Sequence, residues 1–127
     1  MRRLALACTV LAPVCQGAWA ATACPASSPA QLDAVVRAIA GAPGCGAAYQ
    51  MMEACAFGSS ADVQTGAAVV ERCAPGIPPR LRSAFEREQS ACHARYERLD
   101  GTMYRSMAAF CVAKAAVRFN AQGAPAR

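Results

Sequence analysis

The chain has 127 residues, is 55% hydrophobic but only 6% aromatic, and carries eight cysteines and a net charge of +5. That length supports one domain with one modest core, and because much of the apolar content is alanine the core removes little area per residue, so cross-links matter. A charge this mild argues against a nucleic-acid partner, and one histidine with no Cys-x-x-Cys spacing gives no basis for a transition-metal site, a cofactor or a redox enzyme.

The first twenty residues read as a secretory signal. Arg2 and Arg3 form a charged start, Leu4 to Val14 an apolar run interrupted by Pro13, and Ala18-Trp19-Ala20 a small-x-small cleavage site. The run is shorter than the ~20 apolar residues that span a bilayer. Cleavage after Ala20 leaves residues 21–119 as a helical domain and 120–127 as a flexible tail, with no stable membrane span. It also removes Arg2 and Arg3, leaving eleven basic and eight acidic residues, a net +3. The competing signal is a loose lipobox, Ala21-Thr22-Ala23-Cys24, which would lipidate Cys24 and leave an odd five cysteines.

Ser28-Pro29-Ala30-Gln31 has the parts of a helix start, with Ser28 as N-cap, Pro29 at the first helical position and Gln31 placed to close a capping box. Leu32, Val35, Val36 and Ile39 follow at helical spacing until Gly41-Ala42-Pro43-Gly44. A second helix is predicted from about Gly46 to Phe57, stopped by Gly58. A third, capped by Ser59 or Ser60, runs to about Cys73 with Val63, Ala67, Val70 and Ala74 on one face. Pro75-Gly76-Ile77-Pro78-Pro79 is the strongest break.

The fourth predicted helix, Pro79 to Asp100, sets Leu81, Phe85, Cys92, Tyr96 and Leu99 on one stripe, with Glu88 intruding and Arg118 as its candidate partner. Its charges separate sideways: Arg80, Arg87 and Arg98 on one flank, Glu86, His93, Glu97 and Asp100 on the other. After Gly101, Thr102 caps a fifth helix to about Phe119, predicted to bury Met103, Met107, Phe110 and Val117 with Lys114 amid them. No strand pattern appears anywhere. The predicted fold is all-α, a small disulfide-stapled bundle of four or five helices ending in a helical hairpin.

Six cysteines in an exported chain imply three disulfides, drawn from fifteen pairings. Residues equidistant from the turn of an antiparallel hairpin lie level, and a disulfide needs Cα atoms within ~7 Å. Cys92 lies nine residues before Gly101 and Cys111 ten after it, so these pair. The same rule about Gly58-Ser59 joins Cys45 to Cys73, and elimination leaves Cys24 with Cys55.

No catalytic motif is present, so the chain reads as non-enzymatic. His93 with Glu97 one turn on is the one acid/base candidate, and it reads more simply as a solvated helix contact. The arginines of the fourth helix read as a solvated flank or as a contact for an acidic partner.

From Gly101-Thr102-Met103-Tyr104-Arg105 through Ser106 to Cys111, the chain resembles the LprI-type lysozyme inhibitor family, small cysteine-bearing helical proteins of the bacterial envelope. That family has a Gly-Ser or Gly-Thr turn leading to a cysteine at this spacing and another cysteine where Cys92 stands. Cys45, Glu53-Ala54-Cys55-Ala56 and Ala61-Asp62 are similar to its upstream pattern, so the resemblance covers Cys45 to Arg118. It implies a periplasmic or secreted binding module, with an envelope or host protein such as a lysozyme as partner. Gly101, Thr102, Met103, Tyr104 and Arg105 would then be the contact loop, since Tyr and Arg anchor interfaces and a disulfide-pinned turn loses little entropy on docking. The competing reading is a structural envelope protein with no inhibitor activity.

Overall fold

A computed structural model describes residues 22–125. Residues 1–20, which the sequence reading assigns to a signal peptide, lie outside the described residues. Five α-helices follow one another: α1 (Leu32–Ala40), α2 (Cys45–Ala54), α3 (Ala61–Cys73), α4 (Arg82–Tyr96) and α5 (Thr102–Ala121), with short 3-10 turns before α1, after α3 and before α4. No strand occurs among the described residues, and none of their helices is long and apolar enough to cross a membrane. The fold is the all-α, disulfide-stapled bundle that the helical periodicity predicts.

Helix α5 is the axis. α3 packs along one side of it and α4 along another, while α1 and α2 cover α3 from the far side and α2 also reaches α5. The core between them is made by Val35 and Ile39 of α1, Ala48 and Met52 of α2, Val69 of α3, and Ala113 and Ala116 of α5, all without exposed surface. Close approach substitutes for side-chain bulk: a Cβ at Gly66 would lie 3.1 Å from the Ala109 Cβ and 3.2 Å from Met52 Cε.

Three disulfides join Cys24 to Cys55, Cys45 to Cys73 and Cys92 to Cys111, with Cα separations of 5.0, 4.8 and 5.7 Å. All three distances fall in the ordinary range for a disulfide, and the pairs are those that turn symmetry and elimination select. The sulfur of Cys24 is taken up by Cys55, which leaves no thiol there for a lipid.

The turn between α2 and α3 is organised by one carboxylate. Asp62 has no exposed surface, and its oxygens accept hydrogen bonds from the backbone N–H groups of Phe57 (3.0 Å), Gly58 (2.8 Å) and Ser59 (3.3 Å) and from the Ser106 hydroxyl of α5 (2.7 Å). The Ser59 hydroxyl accepts from Ala61 N–H at 3.3 Å, and Ser60 is the N-cap of α3 without a side-chain bond. Gly58 has φ +65°, a conformation that turns consecutive N–H groups toward one acceptor and that side chains disfavour.

Several local expectations are displaced. Ser28 is the N-cap as expected but makes no side-chain bond; Gln31 Oε1 instead accepts from Ser27 N–H at 2.8 Å and from the Ser27 hydroxyl at 3.1 Å, so no reciprocal box forms. Helix α2 stops at Ala54, because the backbone at Phe57 and Gly58 is committed to Asp62. Gly101 (φ +125°) is the N-cap of α5 and Thr102 its first residue. Asn120 and Ala121, assigned to the tail from sequence, belong to α5, where the Asn120 amide donates to the Cys73 carbonyl at 2.8 Å.

The largest displacement is on α5. Met103 and Met107 are 57% and 42% exposed, and Lys114 is exposed with them. The buried face carries Ser106, Ala108, Val112, Ala113, Ala115, Ala116 and Phe119 instead. A hydropathy pattern favours the larger methionines, whereas a central helix gripped from several sides buries the residues small enough to let its neighbours approach.

Replacing Asp62 with alanine strands three backbone donors and the Ser106 hydroxyl, and is expected to cost about 3 kcal/mol or more; Ser106→Ala, which leaves the turn donors paired, is expected to cost about 1–2 kcal/mol. Urea unfolding of the oxidised proteins checks both. Tyr49, edge-on to Phe110 with ring centroids 6.4 Å apart, has its phenol pushed above its usual range by burial and then by the neighbouring Glu53. Its folded form therefore holds the proton more tightly than the unfolded chain does, so that contribution is intact below about pH 10 and is lost as pH rises beyond it. Thermal melts in alkaline buffers should show a shallower loss for Tyr49→Phe than for the parent.

Candidate functional site

Helix α4 is polar on most of its circumference and buries only Phe85 and Cys92. It is held to α5 at three rungs level across the hairpin. Phe85 meets Phe119 with ring centroids 5.7 Å apart, Glu88 pairs with Arg118 at 3.1 Å, and Cys92 is bonded to Cys111. The Glu88–Arg118 pair is the one the sequence anticipates. Both side chains are about half exposed, so it contributes little stability beyond the register it marks. Between Cys92 and the turn, no residue of α4 is buried.

Because α3 and α4 each lean on α5 and scarcely meet, a trough runs between them. Its mouth is a cavity of about 690 Å³, within the size range of ligand pockets. One wall is α3, with Val63, Ala67, Val70 and Glu71; the other is α4 and the following turn, with His93, Tyr96, Glu97, Leu99 and Asp100; Ala108, Ala109 and Val112 of α5 form the floor. A second cavity of about 520 Å³ continues it toward Ile77, Arg82, Phe85 and Glu86, sharing Val70, Glu71 and Gln89 with the first.

The sequence-derived stripe Val63, Ala67, Val70 and Ala74 is thus the wall of this trough and not the core face of α3. The core face is Thr65, Gly66, Ala68, Val69 and Cys73, and Val63 remains 45% exposed. Helix α3 therefore carries a second apolar stripe, of which Val63 and Ala67 are exposed while Val70 is half-covered by the core.

Charge is sorted about the trough. Glu71, Glu86, Glu97 and Asp100 line it, whereas among the basic side chains of the described residues only Arg82 and Arg105 do. Arg80, Arg87 and Arg98 lie outside its lining and are exposed. A negative channel therefore crosses a protein of net positive charge.

Of the contact-loop residues, Gly101, Tyr104 and Arg105 line the mouth; Thr102 and Met103 are exposed and outside its lining. His93 and Glu97 share the α4 wall. No cluster of three metal-ligating side chains occurs among the described residues. Sequence reasoning missed the α3 wall and Gln89 as site residues. The available signal was that α3 carries apolar residues around more of its circumference than one packed face requires.

Since α4 buries so little, its hold on α5 depends on the disulfide. Changing Cys92 and Cys111 together to serine is expected to lower stability by about 3 kcal/mol and to strip hydrogen-exchange protection from α4 before α3 and α5 are affected. Exchange mass spectrometry of the double variant reads this directly, and equal loss in all three helices would contradict it. Compared with protein-family models, with curated proteins and with solved structures, the chain shows no match.

Proposed function

We propose that this protein is an exported, non-enzymatic binding module of the cell envelope, released to the periplasm or medium, that acts as an inhibitor of a lysozyme-like hydrolase through the α4–α5 turn. The observation that carries this reading is the acidic, apolar-floored trough opening beside that turn, with Tyr104 and Arg105 at its mouth. Three disulfides fit an oxidising compartment. Lysozymes are commonly basic, and the net charge of this chain alone would repel them. The sorting of its carboxylates supplies a local patch of the opposite sign, which serves orientation and encounter at short range.

The turn suits a contact loop. Its end of the hairpin projects beyond the last covalent rung at Cys92–Cys111, and Met103 and Leu99 present exposed apolar surface on either side of Gly101. Little order is lost when such a turn docks, because the helices already hold it.

Passing the oxidised mature protein over immobilised c-type and g-type lysozymes, with residual muramidase activity measured in parallel, tests the reading. Retention and inhibition by the parent are expected to fall about tenfold or more in a Tyr104→Ala, Arg105→Ala variant. A parent that is not retained even at low salt overturns the assignment.

A further inference from the structure

The trough has the shape of a missing helix. Packed helices lie about 8–10 Å apart, and α3 and α4 each pack on α5 but scarcely on each other. A rod laid between the exposed walls, Val63 and Ala67 on one side and His93 and Leu99 on the other, would touch both, with the nearly covered Ala108 and Val112 beneath it. The α3 wall from Val63 to Ala74 covers eleven residue steps, about 16 Å or three helical turns.

We propose that this trough docks a basic amphipathic helix presented by a partner polypeptide. It rests on the binding-module reading above but not on the partner being a hydrolase. The chemistry selects a helix, because an extended chain laid on an alanine and valine floor would leave N–H and C=O groups without partners, whereas a helix satisfies its own. The small floor residues let its backbone come close, and its apolar stripe at i, i+3, i+4 and i+7 covers the open face of α3. Charge complementarity sets its sign. Glu71, Glu86, Glu97 and Asp100 outnumber Arg82 and Arg105 along the trough, so lysine or arginine flanks are favoured and acidic ones repelled.

The probe is a fluorescent synthetic peptide of leucine, alanine and lysine, about four helical turns long with one apolar stripe. Two controls accompany it: the same peptide with glutamate for lysine, and a scramble of equal composition without the stripe. Anisotropy reports binding to the oxidised full mature chain, and circular dichroism reports helix gained in the complex. Saturable binding of the lysine peptide alone, with helix gained, is the expected result. Glu97→Gln with Asp100→Asn, both at exposed positions, should weaken it about tenfold. Ala67→Trp, placed on exposed α3 surface to fill the trough, should abolish it while the protein's own melt is unchanged.

The proposal is overturned if the lysine peptide does not bind, if the scramble binds equally well, or if Ala67→Trp binds like the parent. It is also overturned if the parent alone self-associates and Ala67→Trp prevents this, for then a second copy is the occupant. Lysozyme retention without peptide binding removes the helix and leaves the inhibitor reading standing; peptide binding without lysozyme retention does the reverse.

Discussion

The buried carboxylate of Asp62 is the constraint on which the rest of the arrangement depends. It collects three successive N–H groups from the turn before its own helix and a hydroxyl from α5, forty-four residues away. A carboxylate taken wholly out of water is tolerated only when its lone pairs are so occupied. The consequence is positional. With Asp62 tied to Ser106, the rotation of α3 about its own axis is set, and Gly66 faces Ala109 at a distance no larger side chain would allow. Val63, Ala67 and Val70 are then left pointing along the trough.

The other wall is determined by different physics. Helix α4 has too few apolar residues to be held by burial, so it is registered by a disulfide, an aromatic contact and a surface ion pair. A helix attached along one narrow line is free to carry charge on both remaining flanks. Here Glu86, with Glu97 and Asp100 just beyond the helix, lines the trough together with Arg82, while Arg87 and Arg95 stay exposed outside it. The disulfide-pinned hairpin and the acidic channel are therefore two aspects of the same economy of packing.

Much of the architecture was legible in the residues. Helical spacing and the breaks at Gly41 to Gly44 and Pro75 to Pro79 locate all five helices, and level placement about two turns identifies two disulfides before the third follows by exclusion. The lateral sorting of charge on α4 was legible too, though not that its acidic side would face a cavity. What escaped was which apolar face is covered. Val63, Val70, Met103 and Met107 have larger apolar side chains than Gly66, Ala68, Ala113 and Ala116, yet the glycine and alanines lie inside because interhelical distance rewards smallness there. The cap expected at Thr102 moved to Gly101, and Gln31 bonds Ser27 in place of Ser28, for a similar reason: several local hydrogen-bonding solutions are close in energy, and tertiary contacts choose among them.

The connectivity of the cysteines bears on how the chain reaches this state. Cys24–Cys55 and Cys45–Cys73 interlock, each spanning one cysteine of the other, whereas Cys92 and Cys111 are neighbours in order. An oxidant joining thiols in chain order would couple Cys24 to Cys45 and Cys55 to Cys73, both non-native, while making the C-terminal bridge correctly at the first attempt. The front half thus needs either helices assembled before oxidation or a thiol–disulfide exchange catalyst in its compartment. The hairpin can mature without that help, and would be the first part of the molecule to hold its final covalent form.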